Sequence, residues 1–280
     1  MLISCFLLRP VVNYVVNYQR MGSKAIQGEL WGKRAADWAS IQEQTGKAGY
    51  QYVLHHLPLS PADHLLDIGC GSGIFADLAQ HTGATVTAID ASEPLLEVAK
   101  RRNGSVHFIA AEMEELPFAD KSFSVVCGFN SFQYAANIQH AFTEARRVLK
   151  DHGKLTVMIW GNREDCEAAA YLKALGGLMP PPPPNAPGPF ALSEDQQLEK
   201  ILSDTGFTVT STEDIISIWE YPDPATAIRG LLSAGPAARA IANAGLEKAS
   251  EAVTDSITPY IKKDGSVVLR NKFRVVIAVN

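Results

Sequence analysis

Residues 64–73 read His64-Leu65-Leu66-Asp67-Ile68-Gly69-Cys70-Gly71-Ser72-Gly73. An apolar run of strand length enters a turn with glycine at every second position. Beyond it, Ile74, Phe75, Ala76, Leu78 and Ala79 fall at helical spacing. Glycines let a chain turn sharply and let a ligand press against the backbone, while the first amides of the following helix face that ligand. The stretch therefore predicts the opening strand–turn–helix of an α/β sheet, with its ligand beyond the C-terminal ends of the strands.

Working outward, short apolar runs continue to alternate with amphipathic stretches. The pattern predicts strands over 84–89, 106–110, 122–128 and 155–160, and helices over 74–81, 92–102 and about 137–150. Ser92 is placed to cap the second helix, with Pro94 in its first turn, and Gly153 is expected to close the third. Such alternation defines a doubly wound, Rossmann-like, mostly parallel sheet covered on both faces. Upstream, Trp31, Ala35, Trp38, Ala39 and Ile41 mark helix over 28–57, stopped by Pro58 and Pro61. Downstream, a helix over 193–204, a strand over 207–218, helix over 225–263 broken at Gly235-Pro236 and a strand over 271–279 complete seven strands. The proline run Pro180–Pro184, followed by Pro187 and Pro189, reads as a stiff connector. The chain divides into four segments: an apolar extension (1–20), lid helices (21–59), the ligand-binding core (60–160), and the remainder of the sheet with a helical cap (161–280).

The chain of 280 residues is 46% hydrophobic and 20% charged with a net charge of −5, which excludes disordered and fibrous classes. Its longest basic run is Lys100-Arg101-Arg102, too short for a nucleic-acid footprint, and no nucleic-acid partner is expected. Four cysteines form no CxxC pair and seven histidines form no HExxH, so no metal site is expected and a reducing cytoplasm fits. Residues 1–18 are apolar but interrupted by Arg9-Pro10, without the basic flank or cleavage site of a secretory signal. They read as an extension rather than a membrane span.

The turn also constrains its ligand. Asp90 closes the second strand, where a carboxylate accepts hydrogen bonds from two ribose hydroxyls; the competing role is a cap for the helix after Ser92. A dinucleotide fingerprint wants a third glycine where Ile74 stands, and no Lys-Ser or Lys-Thr comes after it as in a triphosphate loop. Asp67, two residues before the first glycine, suits an ammonium group better than a pyrophosphate.

These residues resemble the class I S-adenosylmethionine-dependent methyltransferases of the small-molecule type. The likeness is carried by Asp67 to Gly73, Asp90, Ala110-Ala111-Glu112-Met113-Glu114-Glu115-Leu116-Pro117-Phe118, Phe123-Ser124-Val125-Val126, and Ala145 to Lys150 continuing through Gly153-Lys154-Leu155. The resemblance implies S-adenosylmethionine as cofactor and a small-molecule acceptor. It implies that Gly69, Cys70, Gly71, Ser72 and Gly73 line the methionine part with Asp67 near its amino group, and that Asp90 takes the ribose. Ala91, Glu112 and Met113 would flank the adenine, Phe129-Asn130-Ser131 would face the sulfonium, and Trp31 and Trp38 would close over the methionine end.

For the acceptor, Gln133, Tyr134, Trp160, Trp219, Tyr221 and Arg229 are the candidates near the expected mouth, each with an ordinary role in core, rim or surface as the alternative. Trp219-Glu220-Tyr221 suits an apolar or aromatic acceptor better than a polymer. No His-Asp pairing marks a base, and no catalytic residue is named. Two other functions share the pattern: a nicotinamide-dependent oxidoreductase, and a non-catalytic cofactor-binding or scaffold protein.

Overall fold

Leu65 and Leu66 are neighbours that lie in the cores on opposite faces of one sheet, at 1% and 0% exposure. Successive strand side chains point to opposite faces, so a strand apolar at both positions needs cover on both. The computed structural model describes residues 22–181 and 188–280. The 1–20 extension and most of the proline run lie outside the described residues.

The strands are β1 (His64–Ile68), β2 (Thr85–Asp90), β3 (His107–Ala110), β4 (Phe123–Phe129), β5 (Leu149–Trp160), β6 (Thr208–Tyr221) and β7 (Val267–Val279). They form one seven-stranded sheet in the order β3-β2-β1-β4-β5-β7-β6. The first five run parallel, and β7 is antiparallel to both β5 and β6. The chain order reverses direction between β1 and β4, and that is where a ligand crevice opens in a sheet of this kind.

The helices, in chain order, are α1 (Lys24–Gly32), α2 (Lys47–His56), α3 (Ile74–Gln80), α4 (Glu93–Arg102), α5 (Ile138–Val148), α6 (Ala169–Gly177), α7 (Gln197–Asp204), α8 (Pro224–Leu231), α9 (Gly235–Ala244) and α10 (Leu246–Ile257). Helix α5 buries Ala141, Phe142, Ala145 and Val148 against one face of the sheet. On the other face, Ala76 and Ala79 of α3 join Val125 and Cys127 in the second core. Local chemistry sets the helix starts: Ser92 accepts from the Leu95 amide, Asn137 from His140 and Asp223 from Thr226.

Several boundaries differ from the sequence expectation for identifiable reasons. Helix α5 stops at Val148, not at Gly153, because Leu149 is drawn into register with Phe123 and starts β5. The run over 28–57 is not one helix: after α1 come a short turn at Ala35–Asp37, a π-helical turn at Trp38–Gln42 and a 3₁₀ turn at Glu43–Gly46. Helix α6 was not anticipated; its alanine- and glycine-rich sequence shows little periodicity. The β6–β7 hairpin is longer than expected. Trp160 pairs with Phe273, while Tyr221 pairs with Val267, so the hairpin continues past the end of β5 and carries Trp219 and Tyr221 above the sheet edge. Among the described residues no helix is long and apolar enough to cross a membrane.

Candidate functional site

The turn after β1 is held by carboxylates and one carbonyl. The amides of Gly69 and Cys70 donate to the Ile89 carbonyl at 2.8 and 3.0 Å. The Gly71 amide donates to Asp90 Oδ2 at 2.8 Å, and the Ser72 amide donates to Glu43 Oε1 at 2.8 Å. Gly69 has φ +75°, and a Cβ there would lie 2.3 Å from the Cβ of Ser131, so both backbone conformation and space demand glycine. Asp90 also accepts from the Ser92 amide at 2.7 Å, so one carboxylate ties the turn to the start of α4.

Asp67 sits beneath this turn at 1% exposure. Its Oδ1 accepts a 3.6 Å contact from the Cys127 thiol, and its Oδ2 has no partner among the described residues. Burial, reinforced by the neighbouring charges of Asp90 and Glu43, pushes its pKa up to about 8. Enclosure likewise raises Asp90 to about 6, against its backbone hydrogen bonds. A buried carboxylate oxygen without a donor is costly unless a ligand supplies one.

Glu43, which sequence reasoning missed, reaches this turn from the 3₁₀ turn Glu43–Gly46. It is 3% exposed and accepts from the Ser72 amide and hydroxyl, while Arg102 Nη1 donates to it at 2.8 Å. Arg102 also donates to the Ser72 carbonyl at 2.6 Å. Burial raises the Glu43 carboxyl while Ser72 and Arg102 oppose the rise. No motif marked Glu43 or Arg102; both stood on amphipathic stretches where a charge ordinarily faces water.

Trp31 and Trp38 meet edge to face with centroids 4.8 Å apart, and Trp31 meets Tyr134 at 5.3 Å. The Trp38 indole nitrogen is buried, has no partner among the described residues and faces Gly71. Glu112 accepts from the Ser23 hydroxyl at 3.1 Å and the Lys24 amide at 2.6 Å, so it fixes the start of α1. Met113 packs on the core beside it. The Ala91 carbonyl lies directly beneath Gly28 of α1. Cys70 is buried, as is Ser131, whose hydroxyl has no partner among the described residues. Phe129 packs on Phe75 and Tyr50, and Asn130, at φ +51°, donates its amide to the Met158 carbonyl.

The acceptor candidates divide. Trp160 packs among Phe190, Trp219 and Phe273, with centroids 5.2 to 5.6 Å away. Trp219 is 2% exposed with its indole nitrogen unpartnered, and Tyr221 donates its hydroxyl to Gln42 Oε1 at 2.9 Å. Gln133 donates to Asn130 Oδ1 and leaves its own Oε1 unpartnered. Arg229 stands apart: it faces solvent and pairs with Asp37 at 2.5 Å. Tyr171 of the unanticipated α6 joins this group, 6.4 Å from Trp219. Among the described residues no three His, Cys, Asp or Glu side chains gather in a metal-binding group.

A left-handed glycine turn over an unsatisfied buried carboxylate, with a second carboxylate at the end of β2, suits a ligand carrying both a cation and a ribose. Residues 66–157 match the methyltransferase domain family. A malonyl-[acyl-carrier protein] O-methyltransferase of Erwinia pyrifoliae is 28% identical over 197 residues, 70% of each chain. An O-methyltransferase (cnsE) of Penicillium expansum is 30% identical over 166 residues, covering 56% of this chain and 57% of that one. Among solved structures, the [4+2]-cyclase SpnF superposes with a TM-score of 0.55 at 22% identity, over 82% of this chain and 80% of its own. That likeness concerns the fold alone. Over residues 66–157 the chain is similar to the methyltransferase domain family, which is consistent with a class I S-adenosylmethionine-dependent methyltransferase with S-adenosylmethionine as cofactor.

Proposed function

We propose that this protein methylates a small, largely apolar acceptor molecule under its lid and cap. The observation that carries the reading is the buried Asp67 carboxylate, whose free oxygen has no donor within the described residues. In this reading Asp67 receives the ammonium of the cofactor, and Gly69, Cys70, Gly71, Ser72 and Gly73 line its methionine part. Asp90 receives the ribose hydroxyls. Ala91, Glu112 and Met113 border the adenine, Phe129, Asn130 and Ser131 face the sulfonium, and Trp31 and Trp38 close the methionine end. Residues 21–59 act as lid, 60–160 as cofactor core and 161–280 as sheet completion and cap.

When bound, S-adenosylmethionine supplies a methyl group already activated by its sulfonium. The chain therefore has mainly to align the acceptor and exclude water. The aromatic wall of Trp160, Trp219 and Tyr221 supports an apolar acceptor, and the O-methyltransferase names of two relatives support oxygen as the acceptor atom. Three free buried cysteines, Cys70, Cys127 and Cys166, support a reducing, cytoplasmic setting.

Calorimetric titration with S-adenosylmethionine, S-adenosylhomocysteine and NADH tests the reading. Micromolar-range binding of the first two and none of NADH is expected. Binding of NADH alone overturns it.

A further inference from the structure

Gln42 and Glu43 are consecutive, both 3% exposed, and their side chains reach into different parts of the molecule. They stand where the π-helical turn Trp38–Gln42 passes into the 3₁₀ turn Glu43–Gly46, and the Glu43 amide donates to the Trp38 carbonyl across that junction. On one side, Glu43 accepts from the Ser72 amide at 2.8 Å. Its Oε1 and the Trp38 indole nitrogen lie 3.1 and 3.3 Å from where a Cβ on Gly71 would stand, so both border the space that this glycine leaves open.

On the other side, Gln42 Oε1 accepts from the Tyr221 hydroxyl at 2.9 Å. The same oxygen lies 2.9 Å from the Cβ position of Gly230 on α8, which pins the amide between hairpin and helix. Nearby, the Thr45 carbonyl accepts from the Ser217 hydroxyl at 2.6 Å. Ser217, Trp219 and Tyr221 alternate along β6 and are buried on one face of it, so the two ties flank Trp219 on that face.

Trp38 and Trp219 share one property: each indole N–H is buried and has no partner among the described residues. An unpaired buried donor is unfavourable, and a ligand oxygen at either place relieves it. Trp38 borders the glycine turn, whereas Trp219 lies in the aromatic wall, its ring 5.6 Å from that of Trp160. One short segment, residues 38–45, therefore touches both places. A ligand shifts a conformational equilibrium only through contacts that differ between its states. A ligand on Gly71 meets that condition, because it meets Trp38 and Glu43 directly.

Resting on the methyltransferase reading above, we propose that Gln42 is a positioning residue that couples the two halves of the site. Cofactor on the glycine turn shifts residues 38–45, and the Gln42–Tyr221 and Thr45–Ser217 bonds pass that shift to Trp219. Cofactor binding thereby sets the acceptor wall before the acceptor arrives, and the acceptor tightens the cofactor by the same factor in return. Gln42 acts through Tyr221 and moves no proton.

The test is fluorine NMR of the full chain labelled with 5-fluorotryptophan and titrated with S-adenosylhomocysteine. The four tryptophans give four resonances, each assigned by replacing that tryptophan with phenylalanine. In the parent protein the Trp38 and Trp219 resonances should shift with the same midpoint. Gln42→Leu with Ser217→Ala removes both ties and leaves the glycine turn untouched. It should keep the Trp38 shift, hold S-adenosylhomocysteine affinity within about threefold and abolish the Trp219 shift. Tyr221→Phe with Ser217→Ala removes the same two bonds from the hairpin side and should act alike. Gln42→Glu alone keeps an acceptor oxygen for Tyr221 and should retain the Trp219 response. A Trp219 resonance that ignores S-adenosylhomocysteine in the parent, or that still shifts in both double variants, overturns the proposal. Loss of affinity in both double variants overturns it too, because the ties would then belong to the fold of the cofactor site itself. A parent protein that fails to bind S-adenosylhomocysteine would instead overturn the methyltransferase reading beneath it.

Discussion

Glu43 and Ser72 form a two-point contact between the 3₁₀ turn Glu43–Gly46 and the glycine turn after β1: one carboxylate oxygen accepts the Ser72 amide at 2.8 Å, and the other accepts its hydroxyl. Arg102 completes a closed triangle by donating to both residues. The segment carrying Glu43 is therefore attached to the glycine turn by charge-assisted bonds in a largely dry place. Glu43→Ala leaves the Ser72 amide without its acceptor and the Arg102 guanidinium without its counter-charge, and should cost about 2–3 kcal/mol of stability. Chemical denaturation measures this. Glu43→Ala combined with Arg102→Met should lose less than the sum of the two single changes, because the second removes the stranded charge.

If Asp67 receives the cofactor's ammonium as proposed, cofactor binding depends on pH. Its folded pKa of about 8 lies above the ordinary 3.8, so in the free protein it is mostly protonated at neutral pH. An ammonium group favours its ionised form, so binding below pH 8 releases a proton. Affinity for S-adenosylmethionine should tighten as pH rises from 6 to 8, with proton release visible as a buffer-dependent binding enthalpy. Asp67→Asn should remove most of both effects, leaving the smaller contribution of Asp90. The stability sign is opposite. The native state keeps a proton that the unfolded chain has released, so this group's contribution is full below pH 4 and is lost as pH rises towards 8.

Gly69→Ala should damage stability and binding together. The change forces a side chain into φ +75° and sets its Cβ 2.3 Å from that of Ser131. A loss of about 2–4 kcal/mol in denaturant unfolding is expected. Ser131→Gly alongside it should recover the steric part and leave the backbone part.

The sheet was legible because strands buried on both faces carry continuous apolar runs: Leu65, Leu66 and Ile68 announce β1, and the glycine turn fixes the start of α3. The Ser92 cap was likewise readable, since caps act within a few residues. The Glu43–Ser72–Arg102 triangle was not, because its members meet only in three dimensions and each alone looks like a solvated polar residue. Tyr171 was missed for a related reason: α6 is rich in alanine and glycine and its tyrosine has no motif around it. Trp219 and Tyr221 were singled out from composition as acceptor candidates, and their height above the sheet depends on the hairpin register of β6 with β7.

Gly28 tests whether the position of the lid matters to the cofactor site. It lies inside α1, where alanine is ordinarily better than glycine by about 0.5–1 kcal/mol. Helix propensity alone would make Gly28→Ala stabilising. A Cβ at this position, however, meets the Ala91 carbonyl oxygen at 2.3 Å, and a backbone carbonyl cannot swing aside as a long side chain can. Ala91 is the residue after Asp90, so the strain is relieved only by moving α1 outward or by disturbing the end of β2. Gly176→Ala on α6 is the matched control, because nothing lies within 4 Å of a Cβ there. Gly176→Ala should stabilise by about 0.5–1 kcal/mol and leave S-adenosylhomocysteine affinity unchanged. Gly28→Ala should reverse the sign in thermal unfolding, weaken S-adenosylhomocysteine by about tenfold and expose residues 22–46 to limited proteolysis. A Gly28→Ala protein as stable as the Gly176→Ala control, with full affinity, would mean that α1 rests on the site without shaping it.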